Sequence, residues 1–384
     1  MITDTDIWAL DPALAYLNHG GFGATPAPVL AEQQTWRQAL ERNPTQFLTR
    51  QLPDLLAGIR AELATFLNAP ADALVFTDNA TAGTQTVITQ TPLEPGDELL
   101  TTDHCYGAVL GQLHRAAEAS GATLRIAPVP LPAPGGPALT QAAVTQAVVS
   151  QLTEHTRLLV IDHVASCSGL VFPVAGIAAA CRQAGVPVLV DGAHAAGMLP
   201  VDLGALGADF WVGNLHKWVC APKAAAVLYA APRWRAELRP LVASHRVFDG
   251  FQPAFDWTGT RDPSALLAAP AALGFFAERG WPEVRRANND LARRGAELVA
   301  VHLGTEPPPL GDGLAASMRL VPLPAALPDE AARRDLEQRL FTGHGVVVPA
   351  TSHGGWRWLR VSAQLYNTIE DYERLAKAVT AELG

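Results

Sequence analysis

From Leu52 onward the chain sets Leu52, Leu55, Leu56, Ile59, Leu63, Phe66 and Leu67 three and four positions apart. That spacing predicts one apolar helix face over 52–68. Beyond it, short apolar runs alternate with amphipathic ones. ALVFTDN, DELLTTD, TLRIAPV, TRLLVIDHV and VPVLVDGA read as strands, and ATAGTQTVITQ, YGAVLGQLHRAAEASG, TQAAVTQAVVSQLT and VAGIAAACRQAG as the helices between them. In FWVGNLHKWVCAPKAAAVLY the runs on both sides of Lys217 read as two further strands. Strands separated by helices of about 10 to 15 residues predict an α/β fold, a mostly parallel sheet flanked by helices in three α/β/α layers. After about residue 265 the alternation gives way to a long helical stretch, the strands ASMRLVPLP, VVVPA and WRWLRVSA, and two more helices. This predicts a large domain over 21–265 and a smaller α+β domain over 266–384.

Composition narrows the partners. With 384 residues, 49% of them hydrophobic, the chain can bury a sizeable core. A net charge of −9 and the lack of a basic run argue against nucleic acid or an anionic membrane, so a small-molecule substrate is expected. PSALLAAPAALGFFAERG is interrupted by Pro270 and too short to span a bilayer, and the first twenty residues carry no signal pattern. Cys105, Cys167, Cys181 and Cys220 lack CxxC or CxxxH spacing, which suggests neither a disulfide framework nor a zinc knuckle. A cytoplasmic location follows as the expectation.

In such sheets ligands sit beyond the carboxyl ends of the strands. Five strand ends carry chemistry: Thr77, Asp78 and Asn79; Asp103, His104 and Tyr106; Asp162, His163 and Ser166; Asp191 and His194; Asn214, His216 and Lys217. Burial at a strand end lowers a lysine's pKa toward the range where the neutral amine attacks a carbonyl, which is Schiff-base chemistry. Asp191, ending the very apolar VLVD, needs a cationic partner there, and a protonated pyridine nitrogen would serve. A helix beginning at Asn79, Ala80 and Thr81 could hold a phosphate on its free N–H groups, or could simply be capped. Walker-type and GxGxxG spacing is absent, and no HxH or HExxH spacing supports a metal. Trp356 and Trp358 alternate along a strand and read as sheet packing.

YLNHGGFGA, DNATAGTQTV, DHVASCSGLVFPV, the block LVDGAHAAGMLPVDLGALGADFWVGNLHKW followed by CAPK, WTGTRD and RVSAQLYN occur in order over nearly the whole chain. Together they resemble the class V aminotransferase branch of the fold-type I pyridoxal 5'-phosphate (PLP) enzymes, and within it the isopenicillin N epimerase group. The resemblance implies that Lys217 forms the Schiff base and moves the proton, that Asp191 pairs with the pyridine nitrogen, and that His194 lies beside the cofactor. It implies that Asn79, Ala80, Thr81, Asn214 and His216 hold the phosphate, that Tyr106, or less readily His104, covers the ring, and that Ser166 reaches the ring oxygen. It further implies an arm over 1–20 packed on the small domain and active site, with His19 and Gly20 on the substrate side. Arg360 would bind the substrate carboxylate, and Thr260 would reach the phosphate of the partner in a homodimer.

The reaction is less determined. Epimerisation at Cα needs a second acid, for which His19, Tyr106 and His245 are candidates. A desulfurase of the kind with a nucleophilic cysteine in the C-terminal part is disfavoured, because no cysteine lies beyond Cys220. A C–S lyase of a cysteine conjugate, an aminotransferase and a non-catalytic PLP-binding protein are the alternatives.

Overall fold

The computed structural model describes residues 7–324 and 330–383. Seven strands, β1 (Leu74–Thr77), β2 (Glu98–Thr102), β3 (Thr123–Ala127), β4 (Thr156–Asp162), β5 (Val188–Asp191), β6 (Phe210–Asn214) and β7 (Ala226–Ala230), form one sheet in the order β1-β7-β6-β5-β4-β2-β3. Neighbours from β6 through β3 are parallel, whereas β7 runs antiparallel to both β6 and β1. The connection 215–225 explains the reversal. It is shorter than the dozen or so residues, usually a helix, that a parallel crossover requires.

Both faces of the sheet are covered, as continuous apolar strands demand. Leu159, Ile161, Val188, Val190 and Trp211 join one core. Their alternating neighbours Leu158, Val160, Leu189 and Val212 join the opposite one. The expected helices appear at Leu52–Phe66, Ala80–Ile88, Gly107–Ser120, Gln141–Val149 and Val174–Gln183. Gly121, in the left-handed region at φ 74°, closes the third of them.

A second, antiparallel sheet has the order β9-β10-β8, with β8 (Met318–Pro322), β9 (Ala350–His353) and β10 (Trp356–Ser362). The expected strand VVVPA is divided. Val346–Val347 pairs in parallel with Ala15–Tyr16, and β9 starts only after Pro349, which has no N–H for the ladder. Ala15 and Leu17 are thereby buried in the small domain's core. Ser264–Leu267 and Ala269–Ala277, by contrast, pack on the large domain's core, so the expected boundary at 265 falls inside that packing. The seam runs along the helix Trp281–His302, which gives Val284 to one core and Ala296, Val299 and Ala300 to the other.

That helix approaches the C-terminal helix Ile369–Leu383 through Gly295, where an added Cβ would overlap the buried Tyr372 ring. Gly295→Ala is therefore expected to lose about 1–3 kcal/mol of stability despite alanine's better helix propensity, measured as a lower urea midpoint with unchanged slope.

Candidate active site

Strand register brings the first two groups together. Asp162 and Asp191 are direct partners at the carboxyl ends of β4 and β5, and both are buried. Burial raises the pKa of Asp162 well above the carboxylate range, and the Asp191 charge raises it further. Asp191 is also raised by burial, opposed by the Ala193 N–H that donates to its Oδ1 at 3.0 Å and by the Lys217 charge. Two adjacent carboxylates in low dielectric do not both ionise freely. Burial and the Asp191 charge both disfavour the ionised form of Asp162, whereas the Ala193 N–H and a facing cation favour it at Asp191.

Lys217 lies in the turn after β6. Gly23, at φ 71°, passes so close that a Cβ would overlap the His216 carbonyl oxygen and crowd the Lys217 backbone. The Lys217 Nζ is 3.2 Å from His194 Nε2, and the Trp218 indole N–H donates to His194 Nδ1 at 3.3 Å. Indole is donor-only, so a neutral His194 carries its proton on Nε2 and points it at the amine. The amine must then accept, which requires it to be neutral. Burial lowers the Lys217 pKa to about 8, helped by the Arg360 charge and opposed by Asp191 and Asp162. His194 is held well below the usual imidazole range, first by burial and then by the Lys217 charge.

The sign of this shift is testable. A lysine with its pKa near 8 gains its reactive form across pH 7–9 and then levels off. Condensation of the apoprotein with PLP, followed by absorbance, should accelerate about tenfold from pH 7 to 9 and plateau above. An ordinary lysine would give about a hundredfold rise with no plateau.

Arg360, on β10, is 5% exposed. Its guanidinium donates to the Ser166 carbonyl oxygen, to Ser166 Oγ at 3.3 Å and to Asn18 Oδ1 at 3.0 Å. Its Nε is buried without a partner, and among the described residues no carboxylate forms an ion pair with it. Burial lowers its pKa to about 10. A buried cation left this way is costly unless an anion arrives.

At the sheet's other flank the helix Ala80–Ile88 begins beside β1. Asn79 caps it through Ala82 N–H at 2.9 Å, and Asn214 Oδ1 accepts from Ala80 N–H at 2.8 Å. The Ala80 amide, expected to face a phosphate, is therefore taken by Asn214. The Thr81 N–H and hydroxyl remain at the helix end, where the dipole favours an anion. His216 Nδ1–H donates to Ala225 O at 3.2 Å, which leaves Nε2 open, and burial lowers its pKa to about 4. Thr260 is exposed, and the next residue, Arg261, donates to Asp78 Oδ1 at 2.9 Å, tying WTGTRD to this end of the sheet.

Other expected residues lie elsewhere. His19 is fully buried behind Lys217: its Nε2–H donates to the Lys217 carbonyl at 3.0 Å and Tyr366 O–H donates to its Nδ1 at 2.9 Å. With both nitrogens occupied and its pKa lowered by burial to about 3, it suits neither the substrate side nor the role of second acid. Gly20 N–H donates to Ser362 Oγ at 3.3 Å, so this backbone also serves packing between the arm and β10. His245 is exposed in the loop that follows the η-turn Pro232–Trp234. His104 is sealed between Ser168 and Val129, whereas Tyr106 is 44% exposed at the start of Gly107–Ser120, which favours Tyr106 as the ring-covering group. Two contributors were missed, Trp218 and Asn18. Their signal was adjacency to Lys217 and to His19, but adjacency assigns no role; Asp162 stood among the strand-end residues without one.

The family model "Aminotransferase class-V" matches residues 15–299. The chain is 34% identical to an isopenicillin N epimerase of Amycolatopsis lactamdurans, covering 97% of this chain and 96% of the relative. It is 30% identical to a probable chloroplastic L-cysteine desulfhydrase of Arabidopsis thaliana, covering 96% and 83%. In fold it is similar to the cystine C–S lyase C-DES in complex with cysteine persulfide, at TM-score 0.76, 23% identity and coverage of 95% and 97%. It is also similar to the cysteine desulfurase CsdA from Escherichia coli, at TM-score 0.77, 22% identity and coverage of 99% and 97%. The donor set fits the cofactor of such a family. Among the described residues Asp191 Oδ2 has no hydrogen-bond partner and could meet a pyridine nitrogen, the Lys217 amine could meet an aldehyde, and Thr81 with His216 Nε2 could meet a phosphate. The chain belongs to the class-V aminotransferase family, the pyridoxal phosphate-dependent enzymes of fold type I.

Proposed function

We propose that the protein acts at the Cα of an amino acid or amino-acid conjugate and that its outcome is isomerisation, as in isopenicillin N epimerase. The observation that carries the substrate class is Arg360, a buried guanidinium lacking a carboxylate and close enough to Lys217 for its charge to depress the amine's proton affinity. The outcome rests on the 34% identity to an epimerase over nearly the full length of both chains.

PLP, when bound, supplies an electron sink that makes the bonds at the substrate's Cα labile. The chain's own residues do the rest. Lys217 would hold the cofactor covalently, and its amine, with a pKa near 8, would take the Cα proton on one face. His194 Nε2–H orients that amine, and Trp218 fixes the tautomer of His194. Asp191 would pair with the protonated ring nitrogen, and Asp162 beside it is disfavoured as an anion. Arg360 clamps the carboxylate bidentately, and Ser166 and Asn18 hold Arg360. His19 is a positioning residue that anchors the Lys217 carbonyl from the N-terminal arm. Asn79, Thr81, Asn214 and His216 would hold the phosphate, and Tyr106, 44% exposed, would cover the ring and, with both His19 nitrogens occupied, is the group left to return a proton to Cα from the opposite face.

We keep 1–20 as the arm, of which 1–6 lie outside the described residues, and 21–265 as the PLP-binding domain, to whose core Ser264–Leu267 and Ala269–Ala277 also belong, so that within 266–384 the small domain takes over along the helix Trp281–His302. We also propose a cytoplasmic homodimer in which Thr260 reaches the partner's phosphate. No helix among the described residues is long and apolar enough to cross a membrane. A second reading, C–S lysis of a cysteine conjugate, is favoured by the desulfhydrase relatives and needs no cysteine nucleophile.

The test is product analysis in deuterated water with L-amino acids, cysteine conjugates and β-lactam precursors. Deuterium at Cα with inversion supports the isomerase. Pyruvate with sulfide or thiol supports the lyase, and a keto acid with amine transfer the aminotransferase. If borohydride traps no cofactor on Lys217, the reading as a whole fails.

A further inference from the structure

On the Arg360 side of the site, next to Ser166, three side chains from separate parts of the chain converge. His104 follows β2, Cys167 lies in the turn after β4, and His353 ends β9 of the small domain. Their candidate ligand atoms, two imidazole nitrogens and a sulfur, all lie within 4.8 Å of one another. The His104 and His353 rings approach to 3.9 Å between centroids. His353 is 9% exposed, and its Nε2 is buried with no hydrogen-bond partner. Asp103 Oδ2 lies 3.9 Å from that same nitrogen.

We propose that His104, Cys167 and His353 form a binding site for one borderline-soft divalent cation, with zinc as the representative ion, joining the large domain to the small one. Two imidazoles and a thiolate are a donor set suited to tetrahedral zinc, and Asp103 supplies the fourth position directly or through water. Ideal bonds would place the ligand atoms about 3.3–3.6 Å apart, so side-chain rotation has to close a gap of about 1 Å. His104 shows the hydrogen bonding that orients a ligating histidine. It donates from Nε2–H to Val129 O at 2.7 Å, and its Nδ1 accepts from Ser168 Oγ at 2.7 Å. The ion takes the place of the Ser168 hydroxyl, which can rotate away, while the Val129 bond keeps the ring oriented. On the other domain, Trp358 N–H donates to His353 O at 3.2 Å and fixes the hairpin.

Coordination converts the Cys167 S–H to a thiolate and releases one proton to solvent, with no redox change. The cation's charge is what makes the thiolate stable there.

The experiment uses the holoenzyme with zinc in competition against a chromophoric chelator, and cobalt as a spectroscopic probe read at wavelengths beyond the cofactor's absorbance. One zinc per chain is expected, with intense tetrahedral cobalt bands and release of one proton. Cys167→Ser and His353→Gln should each weaken binding tenfold or more, and Cys105→Ser should leave it intact. Both substitutions are near-isosteric, and circular dichroism verifies that each variant is folded. No uptake at micromolar zinc, or uptake that survives both substitutions, would overturn the proposal.

Discussion

Lys217→Ala is expected to lower turnover by about 10⁴-fold or more, because one amine performs two tasks. It anchors the cofactor, and as a proton-transfer group it is worth about 10²–10⁴ by itself. Both tasks are those of the proposed mechanism, and they rest on a pKa that burial lowers to about 8 and on the His194 Nε2–H aimed at the amine. Folding should not suffer in proportion, since the substitution removes a desolvated amine that makes no ion pair among the described residues. A melting temperature within a few degrees of wild type, with turnover almost abolished, separates a chemical role from a structural one. Methylamine added to the variant should restore part of the activity, in proportion to its free-base concentration. If KM rises while kcat holds, Lys217 contributes binding only and the assignment is lost.

Much of this was legible in the chain. The alternation of VLVD and LLVID with amphipathic runs specifies a buried parallel sheet, and such a sheet places its ligands at strand ends, where Asp191 and Lys217 stand. The reversal of β7 was not legible, because apolar runs carry no direction; only the short 215–225 connection decides it. The split of VVVPA at Pro349 depends on Ala15–Tyr16, more than 300 positions away. His19 shows the limit most clearly. Its place in a glycine-rich NHGG segment suits a ligand loop, yet the arm folds under Lys217 and both ring nitrogens are spent on Tyr366 and a carbonyl. Its role was set by contacts between distant segments, which local pattern does not encode. The tautomer of His194 is similar: it is fixed by Trp218, a buried core residue whose sequence shows burial but not where its N–H points.

Arg360→Leu is expected to cut kcat/KM for substrates with a free α-carboxylate by about 10²-fold, roughly 3 kcal/mol for a desolvated charge-assisted pair. Arg360→Lys should recover only part of this, because an ammonium keeps the charge but loses the planar fork. Magnitude alone does not decide the role, since Arg360 also ties Ser166 of the large domain to Asn18 of the arm. The deciding quantity is the ratio of kcat/KM for a carboxylate substrate to that for its α-carboxamide. A carboxylate-binding guanidinium makes that ratio large in the wild type and about 10²-fold smaller in Arg360→Leu. A strut between arm and domain would lower both numbers together and leave the ratio where it was. The unpartnered Nε and the lack of a carboxylate partner among the described residues favour the first outcome. A strut would be better served by a neutral side chain, whose burial costs far less than that of a lone cation.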